Sequence, residues 1–292
     1  MKNKIILIVM CISMLVIFSA CDVSKINTNN EISLENNVLK SKVLDIDLYN
    51  LENDYKENYT NFYYDFYEDY QYGLDIDEKY KNTMDVIDNI YGKYLPTMAL
   101  GDATSRAELK YSTSSTLTDN TKNNYSVENL NGMSYFSSWV EGKEGYGIGE
   151  TITVEMSTWN EFAEGSFEAG RYLPEGGHWG KIDEYTSEFN GIFIINGYAS
   201  SEDLYNKNSR VKKMKLTIDD KEEYILELED TSKPQIFDVN YEITTKDKAM
   251  PIKAKFEILE VYEGTVYQDT ALSALLIGTD SSIAVGRWWN VH

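Results

Sequence analysis

Aromatic side chains stand beside amides, carboxylates and an arginine at four places in the second half of the chain. Sugars present apolar C–H faces that stack on aromatic rings, and hydroxyl groups that need paired donors and acceptors. Each place falls at the end of a predicted strand or in a loop, where binding residues sit on a rigid scaffold. This combination favours a carbohydrate site formed by Trp139, Glu141, Asn196, Tyr198, Tyr205, Asn208, Arg210, Tyr262, Tyr267 and Asp269.

Structural roles are the alternative for several of these residues. Trp139 and Tyr262 also suit the core of a β-sandwich, where they would never meet a ligand. Arg210 could instead form a buried pair with Glu150 or Asp269 that holds loops together. Three glycines favour a tight turn over a ligand contact: Gly145, Gly147 and Gly149.

Catalytic chemistry has few candidate residues. The only histidines are His178 and His292, and the only cysteines are Cys11 and Cys21, so the usual zinc constellations cannot be built. With 48 acidic residues, a carboxylate pair spaced for glycoside hydrolysis would arise by chance and carries no information. We therefore predict no enzyme activity, no metal site and no cofactor, and no feature of the sequence supports a structural calcium ion.

The N-terminus has the pattern of an export signal. Lys2 and Lys4 precede an uncharged apolar run over Ile5–Phe18, which is short for a membrane span of about 20 residues and suits a signal peptide. The ending Phe18-Ser-Ala-Cys21 resembles the lipobox of bacterial lipoproteins, with Phe18 where Leu is usual. We predict a signal peptide over 1–20, lipid attachment at Cys21 and a cell-membrane protein anchored on the extracytoplasmic face. An ordinary cleaved signal or an uncleaved anchor helix is the alternative.

The charge balance excludes one class of partner. The formal net charge is −21, and removal of residues 1–20 takes away two lysines and no acid, which leaves −23. Such a surface repels nucleic-acid phosphates and anionic lipid headgroups. Binding to nucleic acid is therefore excluded, and contact with a membrane is expected through the lipid anchor alone.

Two segments separate the anchor from the rest of the chain. Residues 21–45 are polar and Asn-rich, which predicts a flexible tether. Residues 46–100 form an acidic, Tyr-rich arm that we predict to be helical, with a second helix from about Glu78 to Tyr94, before Pro96. One helical face would carry five aromatic residues suited to packing or to an interface: Tyr59, Tyr63, Phe66, Tyr67 and Tyr70.

Short strands separated by turns dominate from about Leu109 onwards. Apolar residues alternate with polar ones over 151–156, 213–218 and 224–229, the period-two pattern of half-buried antiparallel strands. The run Gly191–Gly197 is apolar on both faces, which predicts a central strand closed by an Asn-Gly turn. The number of strands indicates a sandwich or jelly roll.

Two regions do not show this pattern of short strands and turns. Residues 158–188 contain five glycines and Pro174, which predicts an inserted loop carrying Trp159, Phe162, Phe167, Tyr172 and Trp179. Residues 281–292 are predicted to be a C-terminal tail that packs on the fold or docks a partner.

Three segments together resemble a known family. The stretches Trp139–Glu150, Ile195–Arg210 and Ile258–Thr270, preceded by Tyr125–Leu130, are similar in order and spacing to the NADase-type glycan-binding domain. This is a discoidin-like (F5/8 type C) jelly roll, named for the translocation domain of a streptococcal NAD glycohydrolase, and the resemblance covers 107–280. The family usually continues after its Asp-Thr pair with a Cys-Ile-Ser-Glu-Ile type strand, whereas this chain has Ala271-Leu-Ser-Ala-Leu275.

The resemblance implies a mainly β protein: a discoidin-like jelly-roll β-sandwich preceded by a short helical arm. It also implies binding of carbohydrate, a cell-wall or host glycan, without NAD hydrolysis. The alternative is a protein-binding or adhesion module that acts through the Tyr-rich arm and the inserted loop.

Overall fold

Six stretches of the chain are described by the computed structural model: 37–59, 62–94, 105–118, 124–160, 182–245 and 252–285. Several predictions lie outside these residues. They are the signal peptide, Cys21, the first part of the tether, His178, the four insertion aromatics beyond Trp159, and residues 286–292. Within the described stretches, no helix has both the length and the apolar character needed to cross a bilayer.

Eleven β-strands form nearly half of the described structure. Their main order across the sheet is β2-β9-β6-β11-β7-β10-β5-β3; β8 pairs with β7 and β1, and β4 pairs with β11. Pairing is antiparallel except between β11 and β7 and between β1 and β8. The strands span β1 Val38–Lys40, β2 Lys42–Val43, β3 Ser105–Thr113, β4 Trp139–Val140, β5 Thr151–Asn160, β6 Ile182–Asn196, β7 Ser209–Ile218, β8 Glu222–Glu227, β9 Gln235–Thr245, β10 Ile252–Tyr262 and β11 Thr270–Val285.

The core follows the alternation in the sequence. The inward residues of β5, β7 and β10 are fully buried in one cluster with side chains from β6, β9 and β11. Strands from both ends of the sheet therefore cover the same apolar interior, which gives the predicted sandwich. The predicted central strand is confirmed: β6 ends at Asn196, and Gly197 turns the chain with φ +74°.

Helical segments cover the outer face of β9, β6 and β11. Their apolar side chains form a second cluster with five residues of the sheet: Phe193, Ile195, Ile236, Ala274 and Leu276. The helices are α1 Leu48–Tyr55, α2 Tyr67–Gln71, α3 Lys81–Tyr94 and α4 Glu202–Lys207, with short 3-10 turns at Lys56–Asn58, Glu78–Tyr80 and Val127–Leu130 and a π-helical turn at Phe62–Phe66. The predicted helix to Tyr94 is confirmed.

The Tyr-rich segment is packed against the sandwich rather than held apart from it. Phe66 and Tyr67 are buried, and Tyr59 and Tyr70 are half-buried. Helix α3 lies so close to the sheet that a Cβ on Gly191 would meet the Tyr94 ring, and one on Gly278 would meet the Lys93 carbonyl. The prediction that the arm separates the anchor from the domain is therefore wrong, because the aromatic residues of the arm complete a second core.

A buried carboxylate fixes α1 to the loop before β4. Glu52 is only 2 % exposed. One of its oxygens accepts a hydrogen bond from Ser134 Oγ (2.5 Å) and the other from the Tyr135 backbone N–H (2.7 Å). Burial raises the pKa of Glu52, and the two hydrogen bonds oppose that rise. Helix α1 is thus joined to the sandwich by polar as well as apolar contacts.

Three predicted boundaries are corrected by strand pairing. Residues 37–45 are not tether, because β1 and β2 within them pair with β8 and β9. The insertion cannot span 158–188, because β5 continues to Asn160 and β6 begins at Ile182. The tail cannot begin at 281, because β11 continues to Val285. In each case, backbone hydrogen bonding extends a strand through residues that lack a clear apolar alternation.

Candidate functional site

Four loops meet at one end of the sandwich. The register pairs Tyr262 with Arg210, Thr270 with Ser209, and Leu272 with Asn196. These pairs place the ends of β6 and β10 beside the beginnings of β7 and β11. The end of β8 and the beginning of β9 lie at the same end of the sandwich. We call this surface the loop end; it consists of residues 141–150, 197–208, 228–234 and 263–269.

Arg210 connects three of these loops. Its Nε and Nη2 donate to the two oxygens of Asp230 at 3.0 and 2.7 Å, a bidentate pair. Nη1 donates to the carbonyls of Asn208 and Glu263, both at 3.1 Å. The guanidinium also lies 5.1 Å from the centre of the Tyr205 ring. Four of its five N–H groups are therefore used within the protein, so Arg210 positions the loops.

The predicted partners of Arg210 were wrong. Neither Glu150 nor Asp269 pairs with it; the partner is Asp230. Glu150 instead accepts a hydrogen bond from Ser114 Oγ (2.6 Å) and forms an ion pair with Lys143. Tyr205 also donates to Asp230 (3.0 Å), and burial together with that carboxylate raises the pKa of Tyr205.

A buried glutamate supports the glycine-rich loop 141–150. Glu141 is fully buried and accepts hydrogen bonds from the Lys143 and Thr270 backbone N–H groups. Burial raises its pKa, and the negative charges of Asp269 and Glu150 add to the rise. A Cβ on Gly147, where φ is +66°, would lie 2.7 Å from Glu141 Cγ. The tight turn predicted for the glycines is confirmed, with positive φ at Gly145, Gly147 and Gly149.

Like Glu141, Tyr205 and Arg210, three further predicted site residues are buried. Trp139 is fully buried and its indole N–H donates to the Ser115 carbonyl at 3.2 Å. Asn196, also fully buried, exchanges two hydrogen bonds with the backbone of Val211. Asn208 is 7 % exposed and its amide donates to the Leu204 carbonyl at the end of α4. These side chains hold the fold and offer no surface to a ligand, so the core alternative applies to Trp139.

The remaining predicted residues reach the surface to different degrees. Tyr262 is half-buried and its hydroxyl donates to the Leu228 carbonyl. Tyr198 is half-buried and its ring stands edge-on to Tyr125, 6.3 Å away. Asp269 is half-buried, and burial raises its pKa. Tyr267 is 48 % exposed and is the most accessible of the predicted aromatic residues.

Exposed apolar side chains gather at the loop end. Of the five large hydrophobic residues that are exposed in the described stretches, three lie here: Ile148 (49 %), Val266 (59 %) and Tyr267. Their loops are joined by hydrogen bonds from Tyr146 to Glu263 and from Thr270 to the Tyr146 carbonyl. Ile148 and Val266 were not predicted, because a single apolar residue in a loop has no periodicity to mark it.

A cleft of about 480 Å³ opens beside the loop end. Three aromatic side chains line it, Tyr49, Tyr135 and Tyr205, together with charged groups of Asp47, Glu202 and Lys233. The Tyr49 hydroxyl bridges the two sides by donating to the Ser200 carbonyl (3.2 Å). Of the three aromatic residues only Tyr205 was predicted, because Tyr49 belongs to the arm and Tyr135 to no motif. Among the described residues, no group of three or more His, Cys, Asp or Glu side chains is arranged to hold a metal ion.

The strand pairing and shared core define a β-sandwich, and a family match assigns it to the F5/8 type C, or discoidin-like, class. Residues 104–166 and 180–278, more than half of the chain, match the NAD glycohydrolase translocation F5/8 type C domain. The chain therefore belongs to that family. No curated protein shows a significant sequence match to the chain.

Two solved structures illustrate how far the likeness to known folds extends. The arabinofuranosyltransferase AftD from Mycobacteria is 11% identical with a TM-score of 0.33, over 64% of this chain and 13% of that chain. The family 32 carbohydrate-binding module of EndoD from Streptococcus pneumoniae is 9% identical with a TM-score of 0.33, over 57% of this chain and 94% of that chain. This chain thus spans a small part of AftD. Because both scores are low, the class rests on the family match.

Proposed function

We propose that the protein is a non-enzymatic lipoprotein of the cell surface that binds carbohydrate at the loop end of its F5/8 type C domain. One observation carries the proposal: Tyr267, the most exposed predicted aromatic residue, lies with Ile148 and Val266 on loops that are joined by hydrogen bonds. An accessible ring can stack on the apolar C–H face of a sugar, while polar groups of the loops bind its hydroxyl groups. Membership of the family supports carbohydrate as the ligand class.

A non-catalytic role is supported by how the polar groups of the loop end are used. Glu141 accepts backbone hydrogen bonds and Arg210 is held by Asp230 and two carbonyls. These groups maintain the shapes of the loops, whereas a general acid or base must reach a bound substrate. The protein-binding alternative loses part of its interface, because Phe66 and Tyr67 of the Tyr-rich segment are buried.

Replacement of Tyr267 should weaken saccharide binding. We expect Tyr267→Ala to lower the affinity for any glycan found on an array of bacterial wall and host glycans by at least about tenfold, because the stacking surface is lost. Tyr267→Phe should keep most of the affinity, because it keeps the ring. Tyr72, which is 76 % exposed outside the loop end, supplies a matched control: Tyr72→Ala should bind as the wild type does. Equal affinities for Tyr267→Ala and the wild type would place the site elsewhere.

Lipid attachment is tested separately at Cys21. Cells grown with an alkyne analogue of palmitate should yield a labelled protein in the membrane fraction. Cys21→Ser should abolish the label, because no other cysteine follows in the mature chain, and should shift the protein from the membrane fraction. A labelled Cys21→Ser protein would refute the anchor without bearing on carbohydrate binding.

A further inference from the structure

A second cavity, of about 610 Å³, lies between the α1–α2 segment and residues 128–137. It is separate from the loop-end cleft and has no part in the proposal above. Its volume is in the range of small-molecule sites, about 300–1,000 Å³. The α1–α2 wall precedes residue 104, where the family match begins. This groove is therefore formed in part by residues that the family domain does not include.

Aromatic rings provide the apolar part of the groove. Tyr59, Phe62 and Phe136 line it. Phe62 stacks on Phe66 with ring centres 4.7 Å apart, and the Tyr59 hydroxyl donates to Asp69 at 2.9 Å. Burial and the Asp69 hydrogen bond raise the pKa of Tyr59 to about 12. The rings are thus held in place before any ligand arrives, which lowers the entropic cost of binding.

The charged groups that line the groove already have partners. Lys56 Nζ lies 3.4 Å from the centre of the Phe136 ring and donates to Asn53 Oδ1 at 3.1 Å. The Glu52 carboxylate is held by Ser134 and Tyr135, as described above. Glu128 accepts a hydrogen bond from Ser126. A ligand with a net charge would have to displace one of these partners, so the groove favours an uncharged ligand.

One polar atom of the groove lacks a partner. Asn131 lines the cavity, and its Oδ1 is buried without a hydrogen-bond donor among the described residues. A buried acceptor left unpaired is unfavourable, so a small movement of this side chain that brings the oxygen to a hydroxyl or amide N–H of a ligand is favoured. Aromatic walls, charged groups that already have hydrogen-bond partners, and an unpaired amide oxygen together match a neutral sugar.

The groove adjoins the cleft at the loop end through one aromatic cluster. The Tyr49 ring, which lines the cleft, lies 5.4 Å from the rings of both Tyr135 and Phe136. Tyr135 lines the cleft and Phe136 lines the groove. The two cavities therefore share this ring cluster as a wall, and an extended ligand would cross the cluster to contact both.

We infer that the groove is a second subsite, which holds neutral sugar units of a polysaccharide whose other units occupy the loop end. The inference rests on the proposed carbohydrate function and adds that the ligand is an uncharged chain longer than one loop-end site can hold. Binding of a chain at two adjacent subsites gains affinity with length, because the second contact is intramolecular.

The test compares short and long saccharides with the full mature chain. Probes are chitobiose, chitohexaose, cellobiose, cellohexaose and a galacturonic acid hexamer, with purified wall polysaccharide as the natural material. For whichever neutral sugar binds, we expect the hexamer to have a higher affinity than the dimer. Tyr59→Ala and Asn131→Ala should each weaken hexamer binding by about three- to tenfold, the loss of one hydrogen bond or ring contact. Neither should change dimer binding.

Matched variants separate this inference from the proposed function. Tyr59→Phe keeps the ring but loses its hydrogen bond to Asp69, so it should retain more of the hexamer affinity than Tyr59→Ala does. Tyr267→Ala should weaken the binding of both dimers and hexamers. Hexamer binding that depends on Tyr267 but not on Tyr59 or Asn131 would overturn the second subsite and leave the proposed function standing. Tighter binding of the galacturonic acid hexamer would overturn the neutral ligand class. If neither these probes nor wall polysaccharide binds, carbohydrate binding itself is wrong.

Discussion

A variant that lacks residues 37–94 is expected to yield no soluble, folded protein, whereas one that lacks only residues 1–36 should fold as the mature chain does. The deletion uncovers the outer face of β9, β6 and β11, where four large side chains are buried against the helices: Phe193, Ile195, Ile236 and Leu276. At about 1.5–3 kcal/mol for each, their exposure costs about 6–12 kcal/mol. That is comparable with the whole stability of a typical domain, about 5–15 kcal/mol.

The deletion also leaves polar groups of the sandwich without their partners. Ser134 and the Tyr135 N–H lose Glu52, and Asp238 loses Tyr94 and Lys93. Strand β9 additionally loses its pairing with β2. The measurements are soluble yield, size-exclusion chromatography and near-UV circular dichroism. A monomeric 95–292 fragment with a cooperative thermal transition would show that the helical layer is dispensable. Removal of 1–36 touches none of the described contacts and controls for truncation itself.

The sequence contained a signal for this second core that the prediction did not use. Ile192 to Ile195 are apolar at every position, which predicts a central strand. Since neighbouring residues of a strand point to opposite faces, an apolar residue at each position requires a cover on both faces. Ile192 and Ile194 face the sandwich interior, and Phe193 and Ile195 face the helices. No local sequence pattern indicates which segment of the chain covers the second face of the strand.

The candidate site was predictable in its location but less so in its individual side chains. Alternation located β5, β7 and β8, and antiparallel pairing brings every second connecting loop to the same end. The acidic partner of Arg210 within the loop end could not be predicted, because the sequence has 48 acidic residues that are equivalent as candidates. Asp230 follows β8 in a loop without any motif, so only the register of β7 with β8 and β10 shows that it meets Arg210. Burial of Trp139 likewise depends on tertiary packing.

Replacement of Arg210 should have the largest effect of any single change at the loop end. We expect Arg210→Ala to lower the free energy of unfolding by about 3 kcal/mol, the lower part of the range for breaking a buried charge pair. The lower part applies because the Asp230 side chain is 39 % exposed and regains water, whereas that of Arg210 is 9 % exposed. At about 2–4 °C per kcal/mol, Tm should fall by about 6–12 °C, measurable by scanning calorimetry.

Smaller changes at the same pair distinguish a positioning residue from one that contacts the ligand. Arg210→Lys keeps the charge but lacks the fork that holds Asp230 and two carbonyls, so it should recover little stability. Amide hydrogen exchange should accelerate in 201–208 and 263–269, the loops that Arg210 joins. Saccharide affinity should then fall in proportion to the loss of loop protection. If Arg210→Ala instead keeps the wild-type Tm and exchange rates but loses binding, Arg210 contacts the sugar directly, and its four internal hydrogen bonds contribute little to the fold. The present geometry favours the first outcome, because a guanidinium with one N–H left has little to offer a ligand.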